Sequence, residues 1–112
     1  MKIRNKERIQ MNEMRDFVFK IYTRNSEPEF IQSEIQDISE AGMSGFMQPN
    51  PELRKGDEIS GVIEGEKFHI KIRYSGTVVW TEKKTFGFAF GVEFKEEILL
   101  PDILIARLMA VA

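Results

Sequence analysis

Two short motifs in the chain contain polar residue types at spacings that suit ligand binding. Arg4 and Arg8 form an RxxxR motif, and Asp37, Ser39 and Gly42 form a DxSxxG motif further along the chain. A guanidinium donates two hydrogen bonds to a phosphate or to O6 and N7 of guanine, and it also stacks on bases. The carboxylate of Asp37 can accept from guanine N1–H and N2–H, a pair of donors that no other base presents. Ser39 adds a small donor and acceptor, and Gly42 lets the backbone approach closely or adopt a positive φ.

The same residues also have simple structural interpretations. Arg4 and Arg8 could belong to an exposed, charged terminus without a function. Asp37 and Ser39 could be turn residues that bond the local backbone. Gly42 could be an ordinary turn or bulge glycine. Because the two motifs occur in order and precede strongly alternating segments, the sequence favours a binding site over these interpretations.

The segments that must position these motifs have the alternating pattern of β-strands. In the clearest run, 86–94, phenylalanines and Val92 alternate with glycine, alanine and Glu93, so one strand face is expected to be buried. The small residues predict a close neighbour on the second face or a sharply coiled strand. Close turns separate similar runs at 17–21, 59–63, 68–72 and 77–80. About six short strands of this kind predict an antiparallel barrel or sandwich.

The C-terminal segment has helical rather than strand periodicity. Pro101 suits the first turn of a helix, and Asp102 suits the positive end of the helix dipole. Apolar residues then recur at helical spacing over 103–111. The helix is expected to cap the barrel or lie against its side, with docking on a partner as the alternative.

Composition limits the chain to one small domain with one core. Its 112 residues carry a net charge of −2 with both signs interspersed, which argues against a duplex-DNA or polybasic membrane binder. The lack of cysteine and the single histidine, His69, exclude disulfides and thiolate or histidine-rich metal sites. His69 is expected to be a half-exposed structural residue in a strand. With no membrane-spanning apolar stretch and no signal peptide expected, the predicted location is cytoplasmic.

Taken together, the two motifs and the alternating strands resemble the PilZ domain, a bacterial family that typically binds the second messenger cyclic di-GMP. The resemblance implies a single domain over residues 1–112, with a six-stranded antiparallel barrel over 15–95 and a C-terminal α-helix over 101–112. It also implies a flexible arginine-bearing arm over 1–12 that wraps over the ligand. The cyclic di-GMP contacts that it implies are Arg4, Arg8, Asp37, Ser39, Gly42 and, at a position where the family often has an aromatic, Trp80.

Four positions carry expectations of their own beside this resemblance. Trp80 ends a predicted strand, where a core position is favoured over ligand contact. Glu7 places a carboxylate beside the phosphate site and could weaken binding by repulsion. Ile3 stands where a basic residue accompanies two stacked ligands in the family, so one ligand per chain is expected. Glu93 is expected to be solvated.

A receptor is favoured over an enzyme, because one histidine and no cysteine leave no recognisable nucleophile–base constellation. The first hypothesis is a cyclic di-GMP receptor that changes arm conformation and signals to a partner protein. The second is a PilZ-like adaptor that binds no nucleotide and acts through protein contacts. A third, a barrel for single-stranded nucleic acid, needs exposed aromatics among basic residues, whereas the aromatics here alternate with glycine and alanine. No metal, cofactor, nucleic-acid partner or membrane insertion is expected.

Overall fold

The chain folds into antiparallel β-strands. The structure, a computed structural model, describes residues 9–10, 17–49, 52–65 and 69–99. Its strands are β1 (Ile9–Gln10), β2 (Phe17–Arg24), β3 (Glu27–Ile38), β4 (Gly42–Met47), β5 (Glu58–Gly65), β6 (Ile70–Lys84) and β7 (Gly87–Phe94). No helix in the described part of the chain is long and apolar enough to cross a membrane.

Six of these strands close into a barrel. The hydrogen-bonded order is β3-β2-β5-β6-β7-β4, and β4 pairs with β3 again, so the sheet returns to its first strand. The remaining strand, β1, pairs with the end of β3, where Ile9 lies opposite Ile38 and Gln10 opposite Asp37. The predicted six-stranded antiparallel barrel is therefore confirmed.

Bulky side chains from alternate strand positions fill the barrel. Phe19 of β2 and Phe90 of β7 are fully buried, and the Tyr74 ring stacks on Phe19 with centroids 4.4 Å apart. Leu53, in the connection between β4 and β5, is also fully buried. The residues of β7 that face outward are small apart from Glu93. Few side-chain atoms therefore cover the outer face of β7, and side chains from neighbouring strands can lie across it.

Two tight turns use residues that tolerate positive φ. Asn25 and Ser26, with φ of 53° and 68°, join β2 to β3 in a two-residue hairpin of the kind that requires positive φ twice. The Asn25 amide oxygen also accepts a hydrogen bond from the Glu58 backbone N–H at 2.9 Å. Gly56, with φ of 97°, turns the chain just before β5. The sequence predicts turns at both places.

The strands differ from the sequence prediction in four respects. β3 and β4 lie outside the predicted runs, and β6 is one continuous strand that joins the runs at 68–72 and 77–80. Phe86 is 81% exposed rather than buried, because β7 begins only at Gly87 and Phe86 lies in the hairpin turn before it. His69 is exposed in a turn before β6, with φ of 53°, rather than half-exposed within a strand.

Several predictions concern residues outside the described ranges. The C-terminal helix over 101–112 is one of them. The predicted flexible arm over 1–12 is another, except that Ile9 and Gln10 are paired with β3.

Candidate ligand-binding groove

An open groove with a volume of about 320 Å³ crosses the outer wall of the barrel over β3, β4, β7 and β6. Four of its residues form one cross-strand row, because Asp37 pairs with Ser44, Ser44 with Gly91, and Gly91 with Trp80. A carboxylate and an indole occupy the ends of this row, and its middle is small. The remaining lining consists of Ala41, Gly42, Met43, Val79, Val92 and Glu93.

A β-bulge in β3 turns Asp37 toward the groove. Ile31 and Ile35 point into the barrel, so strict alternation would send Asp37 there as well. The register with β4 shifts between Ile35 and Asp37, which inserts an extra residue and exchanges the two faces. Asp37 is consequently half-buried on the outer wall, and Ile38 returns to the core.

A second bulge, in β6, turns Trp80 outward. Tyr74 and Val78 are buried at alternating positions, so continued alternation would bury Trp80. The register with β7 shifts between Val78 and Trp80, and Val79 is the extra residue. Trp80 is 41% exposed and lines the groove. The favoured core position is therefore wrong, whereas the candidate role as a ligand residue fits the geometry.

Ser39 lies beneath the groove rather than in its lining. Its side chain is in a residue only 3% exposed, and its Oγ accepts a hydrogen bond from the Ala41 backbone N–H at 3.2 Å. Its own backbone N–H donates to the Gly42 carbonyl at 2.8 Å. In this structure Ser39 therefore holds the turn between β3 and β4, and its contact with a ligand stays a prediction.

Gly42 permits a close approach of two strands. It pairs with Glu93 of β7, and a Cβ built on it would collide with the carbonyl oxygen of Val92. Its φ is not in the positive region, which among the described glycines is adopted by Gly56. Of the two roles that the sequence allowed for Gly42, the structure thus supports close approach.

A model of the PilZ domain family matches residues 2–110. The chain is a PilZ domain. PilZ domains form a family of cyclic di-GMP receptors and are binding or adaptor domains rather than enzymes. No curated protein sequence matches the chain significantly.

A solved structure shares the fold of this PilZ domain. It is the Bacillus subtilis inhibitor of motility (MotI/DgrA), with a TM-score of 0.68 and 17% sequence identity. The match covers 98% of this chain and 53% of that one, so the PilZ domain spans about half the length of the motility inhibitor. At this identity the likeness concerns the fold.

The two residues that follow the RxxxR motif of the PilZ domain in sequence pair with the strand in which the DxSxxG motif begins. Arg4 and Arg8 themselves lie outside the described residues. Arg8 is followed in sequence by Ile9, which pairs with Ile38, and Gln10 pairs with Asp37. The backbone therefore continues from the first motif directly to the strand that carries the second.

The described lining of the groove is acidic. Asp37 and Glu93 contribute carboxylates, and none of the described lining residues is a lysine or arginine. Glu93 is exposed, as expected, but the sequence does not identify it as a groove residue. It does not identify Ser44 or Gly91 either, because their membership depends on strand register. Among the described residues no group of three or more potential ligands could hold a metal ion.

Proposed function

We propose that this PilZ domain is a cytoplasmic receptor for cyclic di-GMP and that the ligand binds in the outer groove. A guanine base stacks on the exposed face of Trp80, and Asp37 accepts hydrogen bonds from guanine N1–H and N2–H. Arg4 and Arg8 bind the phosphates from the arm. The cross-strand row is the observation that supports this most, because it combines an indole and a carboxylate with a small-residue floor.

The dimensions of the row suit a planar base. Neighbouring strands lie about 4.7–4.9 Å apart, so three steps from Asp37 to Trp80 span roughly 14 Å between backbones. Both side chains extend into this span from its ends. A base can then have one face on the indole, which covers Gly91, and its polar edge at the carboxylate beside Ser44.

The acidic groove favours binding of the phosphates by the arginines of the arm. Cyclic di-GMP carries two phosphates, which the carboxylates of Asp37 and Glu93 repel. Arginine makes short, charge-assisted and often bidentate hydrogen bonds to phosphate, so Arg4 and Arg8 offset this repulsion. In this division of roles the barrel recognises the base and the arm neutralises the ligand.

Binding is proposed to change the arm conformation, which a partner protein then reads. Ordering backbone costs about 1–2 kcal/mol per residue, so the affinity falls below the sum of the contacts. Because Ile9 and Gln10 are already paired, the change is expected mainly before residue 9. Amide exchange of residues 2–12 with and without cyclic di-GMP measures it. Strong protection before residue 9 in the ligand-free protein would place the switch elsewhere.

A titration tests the receptor proposal directly. Trp80 is the only tryptophan, so its fluorescence reports on the groove without a label, and calorimetry gives the affinity independently. We expect micromolar or tighter binding of cyclic di-GMP and much weaker binding of GTP. Arg8→Ala removes charge-assisted hydrogen bonds worth about 1.5–3 kcal/mol each and is expected to weaken binding at least about tenfold. Phe86→Ala, which removes an exposed aromatic outside the groove lining, serves as the matched control.

The adaptor hypothesis gives a different result in the same titration. An adaptor shows neither heat nor a fluorescence change at near-millimolar cyclic di-GMP, although it is folded. That outcome would replace the receptor proposal with one in which the domain acts through protein contacts alone.

A further inference from the structure

Gly91 lies directly beneath the indole of Trp80. A Cβ built on Gly91 would meet Nε1, Cε2 and Cδ1 of the ring, with Cε2 at 2.5 Å and Cδ1 at 2.7 Å. Real Cβ atoms essentially never come within 3.0 Å of another atom in this way. The five-membered part of the indole therefore occupies the space that a side chain at position 91 would need.

This environment differs from that of most other strand glycines, and at Gly65 the nearest atoms belong to the buried ring of Phe17. For most of them the atom nearest to an added Cβ is a backbone carbonyl oxygen of a paired strand, as it is at Gly42, Gly45, Gly61, Gly76 and Gly87. At Gly91 the three nearest atoms all belong to Trp80, whose side chain is exposed and can move. Gly91 is thus required by the position of a groove side chain rather than by the approach of two strands.

We propose that Gly91 is a positioning residue for the ligand, because it forms a seat on which the Trp80 indole lies against the sheet. This inference rests on the proposed function and specifies how the Trp80 indole is positioned in the groove. The bulge at Val79 turns the indole outward, and the missing side chain at Gly91 lets it lie low along the row. A side chain at position 91 would lift the ring away from the wall and change the angle of its stacking face.

The seat lowers the cost of binding. An indole that already lies against backbone has fewer rotamers to lose when a base stacks on it, so part of the ordering cost is met during folding. Stacking between an aromatic side chain and a base also needs a defined face, which a lifted ring no longer presents at the same place. Gly91 therefore acts through Trp80 and has no need to touch the ligand.

A double-mutant cycle tests this coupling with four proteins: the wild type, Gly91→Ala, Trp80→Ala and the double variant. Cyclic di-GMP affinity is measured by calorimetry, and urea denaturation confirms folding. We expect Gly91→Ala to weaken binding about tenfold, which corresponds to roughly 1.4 kcal/mol. In the Trp80→Ala background the same substitution should change affinity less than about twofold, because its collision partner is gone. Tryptophan emission of ligand-free Gly91→Ala should shift to longer wavelength as the ring is lifted toward water.

The outcomes separate the seat from simpler explanations. An equal loss of affinity in both backgrounds would show that Gly91 acts through the barrel and would overturn the seat, as would unchanged affinity of Gly91→Ala. If Gly91→Ala fails to fold, the double variant still tests the seat. The seat requires the double variant to fold and to bind cyclic di-GMP as tightly as Trp80→Ala does. Absence of binding by the wild type would refute the receptor proposal instead. Emission of Gly91→Ala would then still test the seat, and an unchanged spectrum would overturn it.

Discussion

Gly42→Ala is expected to destabilise the barrel, even though Gly42 belongs to the candidate ligand-binding motif. The added Cβ would lie inside the contact distance of the Val92 carbonyl oxygen, which belongs to the backbone of a paired strand and cannot rotate away. β4 and β7 would have to separate by several tenths of an ångström near the Gly42–Glu93 pair. Overpacking of this kind typically costs about 1–3 kcal/mol. With a urea m-value of about 1–2 kcal/mol per M, a loss of about 2 kcal/mol lowers the midpoint by about 1–2 M.

Urea denaturation followed by circular dichroism measures this shift, and Trp80 fluorescence provides a second probe. Ala41→Ser is the matched control, because Ala41 is exposed in the same turn and its backbone bonds are kept. Ser39→Ala should also lower stability, by about 0.5–1.5 kcal/mol, because it removes the acceptor of the Ala41 N–H. A midpoint of Gly42→Ala within 0.2 M of wild type (about 0.3 kcal/mol) would refute the argument from strand approach.

Three further predictions address the ligand and the core. Asp37→Asn keeps the side-chain shape but adds a donor, so we expect a modest loss of cyclic di-GMP affinity. Asp37→Ala should lose more and should discriminate less against an adenine analogue, and equal affinities in calorimetry would remove Asp37 from the base contacts. With Ile3 in place of a basic residue, we expect one ligand per chain, and a titration endpoint of two would contradict this. Tyr74→Phe removes the hydrogen bond from the Tyr74 hydroxyl to the Lys20 carbonyl at 3.0 Å, so it should cost about 0.5–1.5 kcal/mol in urea denaturation at pH 7. Burial raises the pKa of Tyr74 above its usual 10.0, so wild type should lose stability above about pH 10, when the unfolded chain releases that proton more readily. Tyr74→Phe lacks this titrating group. Equal slopes of the free energy of unfolding against pH for both proteins between pH 9 and 11 would argue against a role of Tyr74 in this loss of stability.

The sequence predicts the strands that have one heavily buried face. β2 and β7 alternate bulky and smaller or polar residues, and their inward positions, such as Phe19 and Phe90, are fully buried. β4 lacks that signal, because its sequence GMSGFM contains glycine and methionine instead of β-branched residues. β3 is less visible because a serine, Ser33, occupies one of its buried positions. Pairing with neighbours on the closed barrel determines these two strands more than their local preference does.

The face on which Asp37 and Trp80 lie could not be predicted from alternation. Each residue follows a bulge, and one extra residue in a strand exchanges the inward and outward sets beyond it. Strict alternation would therefore predict that both side chains are buried and that the outer wall has no groove lined by them. The motif identifies Asp37 as a candidate ligand residue, whereas nothing local at Trp80 indicates that the alternating pattern is interrupted before it.

The two bulges explain how a barrel with a continuous core can carry a groove lined by Asp37 and Trp80 on its outer wall. Each bulge delivers one side chain to the outer wall. Beyond the bulge in β3 the chain returns to the core, so Ile38 is fully buried next to Asp37, whereas β6 stays exposed from Val79 to its end at Lys84. The floor between them is made of Ser44 and Gly91, which add little height. The carboxylates of Asp37 and Glu93 on this wall repel a phosphate. In the proposed receptor, base recognition and charge neutralisation are thus carried by different parts of the chain. In that proposal, loss of the arginines would leave the barrel and its groove intact while weakening ligand binding, and this is the physical difference between a receptor and an adaptor on this fold.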